Sequence, residues 1–132
     1  MRTYHGDRIA RLKAIRIALM QYQDSEGQFP DASGWMDAIV NRIQSDDMSA
    51  SQSNRKLRDP SVLDKSAFGW GFNSALSNKY IGDVKNQKTT IMVYSSANTA
   101  KNASGNPSNS LANPPRDGEN LGITVSGNIV KL

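Results

Sequence analysis

The residues with the clearest capacity for chemistry lie near the C-terminus, in Arg116-Asp117-Gly118-Glu119-Asn120. Asp117 and Glu119 put hard carboxylate oxygens on a glycine-containing loop, the donor chemistry that calcium takes. Two carboxylates fill only part of a calcium shell, so a solvated polar turn is the plainer alternative. Asp46-Asp47 is a weaker pair of the same kind. Phe68, Trp70 and Phe72 alternate with Gly69 and Gly71, which suits either a stacking platform for sugars or bases or, more simply, the core face of a strand. Arg116 can pair with Asp117 or another nearby acid, and Asn102-Ala103-Ser104 fits the glycosylation acceptor pattern. The chain has no cysteine and one histidine, His5. That removes thiol nucleophiles, disulfides, Cys-based zinc sites and most imidazole catalysis. Without a nucleophile–base pair or a Gly-rich phosphate loop, the expectation is a non-catalytic protein. Calcium at Asp117 and Glu119 is the one cofactor worth testing.

Charge is distributed in blocks. Residues 1–22 hold Arg2, Arg8, Arg11, Lys13 and Arg16 against Asp7, a net +4. Residues 23–54 hold Asp24, Glu26, Asp31, Asp37, Asp46 and Asp47 against Arg42, a net −5. Such blocks are ordinarily solvated surface. Their sharper reading is a basic end and an acidic shoulder that attract neighbouring copies of the chain. Nucleic acid is a third option, although the bases lack the aromatic interleaving that stacking would need.

The elements that must carry these residues follow from periodicity. Ile9, Leu12, Ile15, Leu19 and Tyr22 recur at three- and four-residue spacing and predict a helix over 7–25, stopped by Gly27 and Pro30. Ile17 and Met20 widen its apolar stripe, so the helix is expected to be covered on more than one side. Phe29 is expected to anchor the following turn on the core. Ser33 is a candidate cap for a second helix over 34–44, with Trp35, Ile39 and Ile43 on one face. The segment 45–59 is a polar connection ended by Asp59-Pro60. Strands are predicted over 67–73 and 89–95, and a closing hairpin over 121–125 and 128–132 around Ser126-Gly127. Between them, 97–120 reads as a long loop containing six Asn and three Pro, with Leu111 its only large apolar side chain. Loops of this length are commonly functional or mobile. Helices followed by strands, without alternation, predict an α+β domain with the first helix laid across a small antiparallel sheet. Leu, Ile, Val and Phe total only 26 of 132 residues, but the net charge of +4 is too small for disorder, so a single folded domain with a thin core is expected.

The order of elements and several words together resemble the soluble part of type IV pilin-like proteins, the pilins and type II secretion pseudopilins. The words are Arg11-Leu12-Lys13-Ala14-Ile15-Arg16-Ile17-Ala18-Leu19-Met20-Gln21-Tyr22 running into Gly27-Gln28-Phe29-Pro30, then Trp35 with Ile39. Gly69-Trp70-Gly71-Phe72-Asn73, Lys88-Thr89-Thr90-Ile91-Met92-Val93-Tyr94 and the 115–131 segment follow. The likeness is greatest to the subfamily with a C-terminal His, nine residues, then Asp-Gly. Here Asp117 stands for that His and Ser126-Gly127 for the Asp-Gly, one residue closer, and Asp59-Pro60 stands for a frequent Cys-Pro.

The resemblance implies a pilin-like α+β fold and a filament subunit of a type IV pilus or type II secretion system. An apolar helix of roughly 20 residues would precede residue 1 and anchor the protein in the inner membrane, with Met1 an added start. The head would be extracytoplasmic, and its partners would be copies of itself and other pilin-like subunits. Arg8, Arg11, Lys13 and Arg16 would meet Asp24, Glu26, Asp31 and Asp37 of another copy, so reversing Arg11 and Arg16 is expected to impair assembly while leaving the head folded. The resemblance also makes a calcium loop at Asp117 and Glu119 worth testing. The alternative is a minor or tip pilin that binds DNA or a surface glycan through the 97–120 loop and the Lys-bearing strands.

Overall fold

The computed structural model describes residues 4–43 and 55–132. Asp46, Asp47, Arg2 and most of the polar connection lie outside the described residues. The first helix, α1, runs His5–Glu26, slightly longer than its periodicity predicts. It ends as expected at Gly27, whose φ of 82° returns the chain in the left-handed conformation. The second helix, α2, is Trp35–Ile43, preceded by a 3-10 turn over Ala32–Gly34. Asp31, not Ser33, caps that turn: its Oδ1 accepts from Ser33 N at 2.9 Å and Ser33 Oγ at 2.6 Å. Among the described residues no helix is long and apolar enough to cross a membrane.

Five strands make one sheet: β1 Trp70–Asn73, β2 Ile91–Ser95, β3 Ser104–Gly105, β4 Leu121–Thr124 and β5 Ile129–Lys131. Their order is β3-β1-β2-β4-β5. β1–β2, β2–β4 and β4–β5 are antiparallel, as predicted, whereas β3 lies parallel to β1. The sheet is therefore mixed, which corrects the expectation of a purely antiparallel one. The physical reason lies in the 97–120 segment. It returns along the outside of β1, where Phe72 N donates to Ala103 O at 3.0 Å, and so supplies an edge strand. The same segment bridges Ser96 to Leu111 and closes with a 3-10 turn at Arg116–Gly118, so it is bonded to the sheet rather than a plain loop.

Leu12, Ile15 and Leu19 of α1 and Trp35, Met36 and Ile39 of α2 are fully buried with Trp70, Phe72, Val93 and Ile123 of the sheet. Phe72 stacks on Trp35 at 5.6 Å and meets Phe29 edge-on at 6.4 Å. The Trp70 and Phe72 rings therefore form core, not a binding platform, and Phe29 is the expected anchor.

The glycines between these aromatics have separate causes. Gly71 pairs with Tyr94, whose ring lies across it: a Cβ at position 71 would stand 2.7 Å from Tyr94 Cζ. Gly69 has φ +99°, and a Cβ there would stand 2.7 Å from Val62 Cγ2 and 3.2 Å from Asp59 Cβ. Gly69→Ala should therefore lose about 3 kcal/mol from backbone strain and overpacking together. Gly34→Ala, at a position with nothing within 4 Å, should be close to neutral. Urea denaturation of the two variants measures the contrast, and equal midpoints would contradict the account.

Candidate functional site

The basic residues of α1 were expected to form one outward surface. They divide instead by their angle around the helix. Arg8 falls on the Leu12–Ile15–Leu19 stripe at four- and three-residue spacing and is fully buried. Its guanidinium donates through Nε to Asp59 Oδ2 at 3.2 Å and through Nη2 to Ser95 Oγ at 3.0 Å. Nη1 donates to the carbonyls of Arg116 at 3.1 Å and Glu119 at 2.9 Å, and the plane lies 5.7 Å from the Trp70 ring centre. Asp59 is likewise fully buried, and its other oxygen accepts from Ser61 N at 2.9 Å and Ser61 Oγ at 2.7 Å. Arg8 is thus an internal tie and is not available to a second copy. This corrects its assignment to the assembly surface.

Arg11 and Arg16 are half-buried ties on the two flanks of α1. Arg11 donates to the carbonyls of Arg55 and Arg58, and Arg16 to that of Val125 at 2.9 Å. Burial lowers the pKa of Arg11 and Arg116, while the Asp59 charge opposes that shift in both. One carboxylate therefore serves as counter-charge to several guanidiniums. Reversing Arg11 and Arg16 would remove side-chain donors from the part-buried carbonyls of Arg58 and Val125, so a loss of head stability is expected alongside any effect on assembly. Lys13 alone among the four is exposed, and among the described residues it has no ion-pair partner.

The acidic shoulder is partly committed as well. Asp24 accepts from Gln23, and Glu26 lies 3.8 Å from Arg42. Asp37 pairs with Lys101 at 2.7 Å and accepts from Asn102 Nδ2 at 2.9 Å. Asp31 holds its 3-10 turn and accepts from Asn78 at 3.0 Å.

Asp117 and Glu119 do not converge with further acids: among the described residues, no group of three or more His, Cys, Asp or Glu could hold a metal ion. Glu119 lies 2.5 Å from His5 Nδ1 and 3.8 Å from Lys131 Nζ, while Asp117 Oδ2 accepts from Tyr4 N at 3.2 Å. The two acids thus hold the start of α1, and a calcium ion would have to compete with those donors. Arg116 does not pair with Asp117 through its guanidinium; it donates to Gly69 O at 2.8 Å. Asn102, at the glycosylation pattern, caps α2 from a distance: its Oδ1 accepts from Met36 N at 2.7 Å.

Three of these roles were missed from sequence: Asp59, Ser95 and Asn102. The position of Arg8 on the apolar stripe was the available signal that polar partners must meet it inside the fold, but nothing in the spacing singled out Asp59 among the acids. Ser95 and Asn102 carry no such signal. Comparison with protein-family models, with curated proteins and with solved structures finds no match.

Two predictions follow from these contacts. Arg8→Met or Asp59→Asn alone should cost about 3–5 kcal/mol, because each leaves the other group buried without its partner. The double substitution should cost less than the sum, and urea denaturation of the four proteins gives the coupling. A single-variant loss under about 1 kcal/mol would mean that the pair is not a tie.

The second concerns acid. Hydrogen bonds from Ser33 and Asn78 pull the Asp31 carboxyl down to about 2, and bonds from Lys101 and Ser66 lower Asp37 and Asp64. A carboxyl whose folded pKa is depressed stabilises at neutral pH, and that contribution is lost as pH falls through the folded value. Melting temperature should therefore drop between about pH 4 and pH 2. Asp31→Asn keeps a capping oxygen without its titration and should show a shallower drop; an unchanged slope would exclude Asp31 as a contributor.

Proposed function

We propose that the chain is the soluble head of a non-catalytic filament subunit, a pilin or pseudopilin of a type IV pilus or type II secretion system. The observation that carries this reading is the two-sided use of α1. One side is locked to the sheet by buried apolar residues and by Arg8, Arg11 and Arg16. The opposite side presents Ala10, Lys13, Ile17, Gln21 and Asp24 to solvent at three- and four-residue spacing. A subunit that works by packing needs a rigid head on a helical spine and a surface left over for neighbours, and this arrangement suits both needs. On this reading the head works outside the cytoplasm and its precursor is anchored in the inner membrane. Its partners are copies of itself and related subunits.

The test uses the full-length gene product in cells that assemble such filaments. Lys13→Glu should reduce filament number several-fold in electron micrographs while leaving the melting temperature of the head unchanged. Normal filaments from this variant, or a full-length product confined to the cytoplasm, would count against the proposal. Steeply salt-dependent DNA binding by the head would instead favour the recognition module.

A further inference from the structure

We propose that Asp117–Gly118 is a site of isoaspartate formation that the fold holds shut, and that it opens when the turn over Arg116–Gly118 releases Arg8. The inference does not depend on the filament reading.

In this chemistry the backbone nitrogen after an aspartate attacks the side-chain carbonyl carbon. A following glycine, without a Cβ, hinders that approach least. Asp117 is the one Asp or Asn in the chain that glycine follows. Both residues are exposed, and a Cβ built on Gly118 would meet nothing within 4 Å, so no neighbour walls off the reacting atoms. Other acids differ. Asp59 is buried and precedes Pro60, which has no N–H to lose. Asp31 and Asp64 hold Ser33 and Ser66, and each precedes a residue that carries a Cβ. The step balances with water alone. Gly118 N bonds to Asp117 Cγ and the Cγ–OH bond breaks; the amide proton leaves with that hydroxyl as water, giving a five-membered imide. Water then adds at the Asp117 main-chain carbonyl carbon and breaks its bond to Gly118 N. The main chain now runs through Cβ and Cγ, and the former main-chain carbonyl is a free carboxylate.

The folded turn opposes ring closure. Asp117 has φ 51° and ψ 34°, left-handed values that a residue with a Cβ keeps only where its surroundings enforce them. At this ψ, Gly118 N stands nearly opposite Cβ across the Cα–C bond of an L residue, whereas the imide ring requires both on the same side. The Asp117–Gly118 peptide must therefore swing round before its nitrogen can attack. Its flanks are pinned. Arg8 Nη1 donates to the carbonyls of Arg116 at 3.1 Å and Glu119 at 2.9 Å, one on either side of that peptide. Glu119 N donates to Arg116 O at 3.0 Å, and Arg116 N to Asn120 Oδ1 at 3.0 Å. Tyr4 N donates to Asp117 Oδ2 at 3.2 Å, which ties the attacked carboxyl itself to the start of α1. Opening a turn of this kind costs less than unfolding the sheet, so the reaction reports the release of these ties. The product also hinders their return. One more methylene in the main chain between Arg116 and Glu119 shifts apart the two carbonyls that Arg8 bridges, and the first turn of α1 loses that anchor.

The test ages the folded chain at neutral pH and follows the peptide that trypsin releases after Arg116, whose normal and iso forms separate by chromatography. Labelled methyl transfer by an isoaspartyl methyltransferase gives an independent count. Isoaspartate should collect at residue 117 and vanish in Asp117→Glu. It should form several-fold more slowly in the native chain than in the urea-unfolded chain, and its rate should already rise at urea concentrations below the unfolding transition. Arg8→Lys, shown to be folded by its melting curve, should move the rate several-fold towards the unfolded value. If that variant does not fold, the urea series on the unaltered chain decides. Equal rates in native and unfolded chains, a rise only with global unfolding, no isoaspartate in the unfolded chain, or a larger yield at another residue would each overturn the proposal.

Discussion

Arg8 enters the core with a full charge, and the groups that accommodate it come from separate stretches of chain. Asp59 supplies the counter-charge, Ser95 a hydroxyl from β2, and Arg116 and Glu119 their carbonyls. A buried guanidinium left without these partners is far more costly than an exposed one, so the loop before β1, the centre of the sheet and the turn before β4 are all constrained to meet at one point of α1. Net stability gained from such a pair is small. What it fixes is register: the helix cannot slide along the sheet without stranding the charge. Asp59 also opposes the burial of Arg11 and Arg116, so the same carboxylate steadies both flanks of the helix start.

Around this point the sheet solves a steric problem in two directions. On the helix side it places Trp70 and Phe72 against Trp35 and Phe29. On the other side, the Tyr94 ring lies across its register partner Gly71 and its hydroxyl end reaches Gly105, while Gly122 makes room for Leu132 instead. A thin apolar composition is sufficient because a few large side chains are fully buried and because Asn and Asp side chains close turns throughout the polar segments. The 97–120 segment illustrates the second device: Asn98, Asn106 and Asn120 each accept from a backbone N–H within a few residues, and Asn102 does so for α2.

The surface that remains for partners is what these internal duties leave over. Of the charged residues first grouped as one assembly face, Arg8 is wholly internal, Arg11 and Arg16 hold carbonyls, and Asp31 holds a turn. Lys13 stays uncommitted beside the exposed Ile17, and the proposed function draws on that short outer stripe of α1. Charge counts along the chain overestimate such a face because they cannot tell a solvated cation from one bonded to the protein's own backbone.

Periodicity and turn chemistry in the sequence determined both helices, four of the five strands to within three residues at each end, the Gly27 stop and the aromatic core face, since these depend on neighbours a few positions apart. The Asp59 partner of Arg8, the parallel β3 edge and the distant cap that Asn102 gives α2 were decided only in three dimensions. Each joins residues separated by some 30 to 66 positions, and no local spacing records which of many polar side chains will lie opposite an unsatisfied group once the chain has closed. The outer stripe of α1 divides the same way: helical spacing put Lys13 and Ile17 near one another, while bringing Ile123 and Gly127 beside them required the hairpin to dock against α1.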